Sequence, residues 1–165
     1  MSLADYVKKD TIYLNCQARD RVELFSQVTE DLLSKKYVKK GFLDFLNNRE
    51  DKYPTGLQLK DYTVAIPHGD PKYINKPFVA VITLLKPILM KQMDDITRNL
   101  NIDTLFILGL GNGTDHLYLL QDIMKLLQKG SFVKKIRTCN STDEVDFVIK
   151  DAEKALKGDI YEQEN

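Results

Sequence analysis

Two histidines and one arginine are the side chains of this sequence best suited to chemistry. His68 lies in the stretch VAIPHGD, after a run of strand-forming residues and between a proline and a glycine. An imidazole is largely neutral near pH 7 and keeps a nucleophilic nitrogen, because its ordinary pKa is about 6.5. It can therefore attack an electrophile and later leave. A single histidine can also be purely structural, donating a hydrogen bond to a nearby carbonyl. The surroundings of His68 must therefore show whether it is reactive or structural.

His116 and Arg49 extend this candidate site. The segment GLGNGTD places His116 in the first turn of a predicted helix, with Thr114 as the expected N-cap. There the helix dipole favours a neutral imidazole and a bound anion, although a solvated histidine is the alternative. Arg49 is a permanent cation near the end of an earlier helix, and most arginines are simply solvated. Together, a nucleophilic nitrogen, a guanidinium and a neutral donor are what phosphoryl transfer needs from a protein.

The elements that must position these side chains follow from the hydrophobic pattern. Each predicted strand is apolar, rich in β-branched or aromatic residues and bounded by Pro, Gly or Asn, which is typical of strands buried on both faces. The predicted strands are 62–66, 78–85 and 104–110, with a weaker candidate at 11–14.

Four amphipathic helices are predicted around these strands. Asp20 and Glu23 are placed to cap the first, and Ser141 and Glu144 form a capping box for the last, which Gly158 is expected to end. Pro54 and Gly56 indicate a loop after the second helix, and Gly130 follows the third. The apolar stripes are Val22, Phe25, Val28 and Leu32; Phe42 and Leu46; Leu117, Leu120, Ile123, Met124 and Leu127; and Val145, Val148, Ile149, Ala152 and Leu156.

This pattern predicts a three-layer α/β sandwich, with a mixed, mostly parallel sheet and helices on both faces. We expect a single domain over residues 1–158 and a flexible tail at 159–165. Because Pro67 has no amide hydrogen, the strand before it should end there and present His68 at its carboxyl end, where open α/β sheets bind ligands. Gly69 lets the backbone turn sharply or another molecule approach closely.

Composition excludes several classes of function. The 24 basic and 24 acidic side chains cancel, and no basic cluster interleaved with aromatics occurs, so we expect no nucleic-acid partner. The longest apolar runs are too short to span a membrane, and the amino terminus has no signal-peptide core, so we expect a cytoplasmic protein without direct membrane insertion. Cys16 and Cys139 are isolated thiols that form no disulfide framework.

The segment NREDKYPTGLQLKDYTVAIPHGD, followed by a strand and a helix that opens with His116, resembles the IIA component of the bacterial phosphoenolpyruvate-dependent sugar phosphotransferase system, of the mannitol and fructose fold type. The GLQ segment and VAIPHGDPKYINKPFVAV are most similar to galactitol-type IIA proteins. The resemblance covers roughly residues 10–155. Its most specific element is PHG with an arginine about twenty residues earlier.

The resemblance implies a site and a set of partners. His68 would accept a phosphoryl group from the phosphocarrier protein HPr and pass it to a cysteine of an EIIB component, which serves the membrane EIIC permease. Arg49 and His116 would stabilise that group, with no metal, nucleotide or other cofactor. Phosphohistidine carries about two negative charges, which Arg49 and the helix amino terminus can balance. KQMDDITRNLNID departs from the family in lacking a glycine near Met93, which leaves the sugar open.

Three other functions are compatible with parts of the sequence. The first is a freestanding regulatory IIA-like protein that signals through phosphorylation of His68. The second is a nucleotide-binding enzyme, suggested by GLGNG, although Gly109, Gly111 and Gly113 do not match the dinucleotide-binding spacing. The third is a metal site completed by Asp70 and Asp115, which lack a diagnostic spacing. We expect Asp70 to be a turn residue, or else to orient His68.

Overall fold

The computed structural model describes residues 2–111 and 114–164, with side chains except at 114–115 and 159–164. This part of the chain contains six α-helices and five strands. The helices are α1 (Leu3–Tyr6), α2 (Arg21–Ser34), α3 (Phe42–Lys52), α4 (Thr114–Leu127), α5 (Gly130–Arg137) and α6 (Thr142–Glu164); the strands are β1 (Ile12–Cys16), β2 (Gly56–Gln58), β3 (Thr63–Ala65), β4 (Phe78–Lys91) and β5 (Asn99–Gly109).

The strands form one open sheet in the order β1-β4-β5-β3-β2. The expected mixed sheet is confirmed. Among the described strands, β1 with β4 and β3 with β5 run parallel, whereas β4 with β5 and β2 with β3 run antiparallel. The balance is therefore even rather than mostly parallel, because β4 and β5 are joined by a hairpin instead of a helical crossover.

The helices cover both faces of the sheet, as expected for three layers. Along β4, Phe78, Ala80 and Ile82 pack into one core with α2 and α3. Val79 and Val81, which alternate with them, pack into a second core with α1, α4, α5 and α6. This alternation explains the unbroken apolar run of β4, since successive side chains of a strand point to opposite faces and both faces are covered.

Capping fixes two of the predicted helix starts. The Asp20 carboxylate accepts a hydrogen bond from the Glu23 amide at 2.9 Å and begins α2. The Glu144 amide likewise donates to Ser141 Oγ at 3.1 Å, before α6. Satisfying these otherwise unpaired amides stabilises each helix start by about 1 kcal/mol.

Several predicted details are wrong. Val22 and Leu117 belong to predicted apolar stripes, but they are 55% and 56% exposed. Gly158 does not end α6, which continues to Glu164, because no feature of a single glycine forces termination when the backbone can remain helical. Gly130 follows α4 as expected, but it also begins α5, a helix that was not predicted and whose Phe132, Val133 and Ile136 are buried.

The predicted strands are present, but two are longer than expected and one was missed. β4 and β5 continue beyond 85 and before 104 as a ladder from Ile88 with Ile102 to Lys91 with Asn99. Lys86 and Pro87 interrupt the apolar run, and the ladder is irregular at that point. The predicted loop at Gly56 instead begins the short strand β2, whose three residues, GLQ, are too few to show a strand pattern before they pair with β3.

Candidate functional site

His68 lies three residues beyond Ala65, the last residue of β3, at the carboxyl edge of the sheet. Pairing with β5 continues past the proline: the Leu108 amide donates to the Pro67 carbonyl at 2.8 Å, and the Gly69 amide donates to the Leu108 carbonyl at 2.9 Å. β3 ends before Pro67, as expected, but pairing with β5 resumes beyond it, because proline lacks only the donor and keeps its acceptor. These two hydrogen bonds hold His68 on both sides.

The imidazole of His68 is half-buried. Burial lowers its pKa below the ordinary 6.5, and the positive charge of Arg49 lowers it further, whereas the Ile66 carbonyl acts in the opposite direction as an acceptor. No hydrogen bond of good geometry forms at Nδ1, which is buried without a partner among the described residues. The fold therefore favours a neutral ring with Nδ1 turned inward.

The two histidines line one pocket of about 390 Å³. β3 and β5 are parallel neighbours, so the segments that follow them emerge at the same edge of the sheet and bring His68 and His116 together. The rest of the lining is mainly apolar: Gly69, Pro71, Leu108, Leu110, Gly111, Leu117 and Leu120.

His116 is the third residue of α4 and is partly exposed. Its ring lies close to Gly111, since a Cβ on that glycine would be 3.5 Å from His116 Cε1. The helix amino terminus thus opens toward the pocket that contains His68. The predicted cap at Thr114 lies outside the described side chains, and the third glycine, Gly113, lies outside the described residues.

Arg49 approaches from the opposite helical layer, in the last turn of α3. Its charge is near enough to lower the pKa of His68, but Arg49 lines a neighbouring pocket with Tyr53 and Tyr73 and not the pocket that contains His68 and His116. The guanidinium carbon lies 5.7 Å from the ring centre of Tyr53, and Nε is buried without a partner. No carboxylate among the described side chains pairs with Arg49. An arginine held beside a neutral histidine, without a competing anion, can bind an anionic group attached to that histidine.

Asp70 is a turn residue, as expected. It caps the short 3-10 turn Pro71–Tyr73, and its carboxylate accepts a hydrogen bond from the Lys72 amide at 2.8 Å. The described part of the chain contains no group of three or more histidine, cysteine or acidic side chains arranged to hold a metal ion. Asp115, the other suggested ligand, has no described side chain.

The glycines near the site have packing roles. A Cβ on Gly69 would lie 2.5 Å from Cε2 of Phe42, so this glycine makes room for an internal aromatic ring instead of a visiting molecule. A Cβ on Gly109 would collide with the ring of Phe78. The GLGNG segment thus has a packing reason for its first glycine, which weakens the nucleotide-binding interpretation.

Glu50 was not identified from the sequence, yet it connects two parts of the site. It follows Arg49 and is only 3% exposed. Its carboxylate accepts hydrogen bonds from the backbone amide and the hydroxyl of Thr55. A signal was present: Glu50 continues the i, i+4 spacing of Phe42 and Leu46, so it places a carboxylate on the apolar face of α3.

A half-buried histidine at the edge of the sheet, in one pocket with a second histidine, places the chain in the class of three-layer α/β domains whose site is suited to carrying an anionic group. The chain belongs to the family of phosphoenolpyruvate-dependent sugar phosphotransferase system EIIA 2 proteins, whose family model matches residues 5–152.

Individual proteins of this kind are similar to the chain. The galactitol-specific EIIA component of Escherichia coli strain K12 is 24% identical over 131 residues, which cover 79% of this chain and 87% of that protein. The nitrogen regulatory protein IIA-Ntr of Neisseria meningitidis has a similar structure, with a TM-score of 0.70, 21% identity and coverage of 88% and 97%. The complex of E. coli mannitol enzyme IIA with phosphorylated enzyme IIB gives a TM-score of 0.69, with 19% identity and coverage of 87% and 96%.

Membrane insertion finds no support in the described helices, since none of them combines the length and apolar character needed for a span.

Proposed function

We propose that this protein is a cytoplasmic phosphoryl carrier that accepts a phosphoryl group on His68 from phosphorylated HPr and passes it to a cysteine of an EIIB component. The observation that carries the proposal is a half-buried His68 that shares a pocket with His116 and whose pKa is lowered by burial and by the charge of Arg49. Family membership supports the same chemistry.

The burial of Nδ1 supports Nε2 as the nucleophilic nitrogen of His68. Because Nδ1 is enclosed, Nε2 is the nitrogen through which His68 reaches the pocket. Its lone pair attacks phosphorus, the N–P bond to the donor imidazole breaks, and the electron pair of that bond stays with the donor. In the second step a cysteine thiolate of EIIB attacks the same phosphorus, and His68 regains its neutral ring. No metal or redox partner is needed for either step.

Arg49 and His116 have separate roles in this proposal. Arg49 compensates charge on the phosphoryl oxygens and, through its effect on the His68 pKa, keeps the imidazole unprotonated before attack. His116 donates a hydrogen bond from the amino-terminal turn of α4, where anions are favoured. Both stabilise a group that forms only during transfer, so neither needs a partner in the unphosphorylated protein.

We also propose that the transported substrate is a sugar or sugar alcohol of the galactitol kind. The membrane EIIC permease would transport it, and EIIB would supply the phosphoryl group. The galactitol-specific relative supports this choice. The alternative is a regulatory protein that is phosphorylated on His68 but passes the group to no EIIB.

The test is incubation of the wild type and His68→Ala with phosphoenolpyruvate, enzyme I and HPr, followed by intact-mass spectrometry. The wild type should gain one acid-labile phosphoryl group, and His68→Ala should gain none. His116→Ala is the matched control: it removes the other imidazole and should still be labelled, more slowly. Equal labelling of the wild type and His68→Ala would contradict the proposal. Addition of a galactitol-type EIIB then separates a carrier, which loses its label, from a regulator, which keeps it.

A further inference from the structure

Glu50 is a buried carboxylate that the proposed chemistry does not use. It is 3% exposed and lies on the face of α3 that packs against the sheet. Oε1 accepts hydrogen bonds from the Thr55 amide at 2.8 Å and from Thr55 Oγ1 at 3.0 Å, and Oε2 lies 2.9 Å from the same hydroxyl. Both carboxylate oxygens are thus engaged by one residue.

This pair is the first link of a chain that ends at His68. The carbonyl of Thr55 accepts a hydrogen bond from the Ile66 amide at 3.3 Å. Ile66 precedes Pro67 and His68 directly. At the other end, Glu50 follows Arg49 in the last turn of α3. Two hydrogen-bonded steps therefore connect the backbone that carries the guanidinium to the backbone that carries the imidazole.

A carboxylate at this buried position carries a desolvation cost. Burial raises the pKa of Glu50, and the Thr55 hydrogen bonds and the charge of Arg21 only act against that effect. Arg21 itself forms an ion pair with Asp51 at 2.6 Å. An apolar side chain would pack here without a desolvation cost. It could not, however, fix Thr55 relative to α3.

We propose that Glu50 is a positioning residue that sets the distance between Arg49 and His68 by fixing Thr55 to the end of α3. The proposal depends on the phosphoryl-carrier function for the use of that distance. It assigns no contact between Glu50 and the phosphoryl group. Hydrogen bonding, rather than the negative charge of Glu50, carries the effect.

The test is an NMR titration of His68 in the full-length protein, for which the two possible roles predict shifts of opposite sign. If Glu50 acts only through its charge, removing that charge should lower the pKa of His68. If Glu50 positions Arg49, Glu50→Leu should raise the pKa of His68, because the nearby positive charge is no longer held in place. Glu50→Gln is the conservative variant: it can keep the hydrogen bonds to Thr55 and should leave the pKa of His68 without a rise.

Two further variants keep the test decisive. Thr55→Val removes the hydroxyl bonds and changes no charge, and it should give a smaller rise in the pKa of His68. It serves as the test if Glu50→Leu does not fold. Arg49→Gln alone should raise the pKa of His68, and adding Glu50→Leu to it should give no further rise. A fall or no change in the pKa of His68 in both Glu50→Leu and Thr55→Val would overturn the proposal.

Kinetics give an independent readout. Phosphoryl transfer to Glu50→Leu should slow by on the order of 10²-fold, the loss expected from a displacement of about 1 Å, whereas Glu50→Gln should stay near the wild-type rate. An unchanged rate in Glu50→Leu would contradict the proposal. The titration needs no phosphoryl donor, so it decides the role of Glu50 even if His68 is not phosphorylated. Labelling that depends on His68, together with a failed titration, would leave the proposed function intact.

Discussion

The chemistry of His68 depends on which protonation state the fold favours. An exposed imidazole is partly protonated at neutral pH and then has no lone pair free at Nε2. Burial and the charge of Arg49 both lower the pKa of His68, so the nucleophilic form predominates. The same cation that compensates a bound phosphoryl group thus also prepares the ring to receive it. Arg49 therefore acts both before transfer, when it favours the neutral imidazole, and after transfer, when it compensates the charge of the phosphoryl group.

This shift predicts a pH dependence of stability. The unfolded chain binds a proton at His68 as the pH falls through about 6.5, whereas the folded protein binds it only at the lower folded pKa. In that interval the unfolded state holds more protons, so the free energy of unfolding should decrease as the pH falls. Urea unfolding of the wild type and His68→Gln between pH 7.5 and about 5 measures this. The difference in stability between the two proteins should change across the interval; parallel curves would contradict the prediction.

At the scale of elements, the site is held by contacts between neighbours that are distant in sequence. Gly69 packs against Phe42 of α3, and its own amide and the Pro67 carbonyl form hydrogen bonds with Leu108 of β5. The loop that carries His68 is therefore enclosed by a helix on one side and a strand on the other. Such packing leaves no space for even one added methyl group.

Gly69→Ala should destabilise the protein by about 1–3 kcal/mol, because its Cβ would lie 2.5 Å from the Phe42 ring. The matched control is Gly158→Ala within α6, where an added Cβ meets nothing within 4 Å. That substitution should stabilise the protein by about 0.5–1 kcal/mol, since alanine is the better helix former. Urea unfolding midpoints, followed by circular dichroism, should therefore move in opposite directions. Equal shifts would show that the Phe42 contact does not constrain Gly69.

At the scale of the whole molecule, a carrier must present one histidine to two partners in turn. The pocket containing His68 opens at the amino-terminal end of α4, where Leu117 and Tyr118 are 56% and 64% exposed. Exposed apolar side chains beside a reactive group are suited to transient docking, because they can be covered and released without breaking a core.

Leu117→Ser should raise the KM for phosphorylated HPr about tenfold and leave kcat little changed, because it removes docking area without altering His68 or Arg49. Phe147→Ser is the matched control. Phe147 is similarly exposed, at 68%, but lies on α6 and does not line the pocket. Steady-state phosphorylation rates measure both variants. A kcat loss in Leu117→Ser, or the same KM change in Phe147→Ser, would argue against docking through Leu117.

The sequence by itself determined the features that depend on neighbouring residues. The caps at Asp20 and Ser141 join residues three apart. The apolar runs of β3, β4 and β5 indicate from the sequence alone that these strands are buried. His68 was identifiable because the strand and the proline that place it stand next to it. Local spacing also predicted a three-layer fold, since apolar strands between amphipathic helices have few other ways to bury their faces.

Only the tertiary structure decided which distant residues meet. No local pattern indicates the pairing of Pro67 with Leu108, the contact of Gly69 with Phe42, or the hydrogen bond from the Ile66 amide to the Thr55 carbonyl. Similarly, β2 forms because its backbone pairs antiparallel with the edge of β3. The physical reason is that hydrogen bonds and close packing depend on where the sheet brings segments together. Residue types along the chain limit those contacts, but only the assembled layers select them.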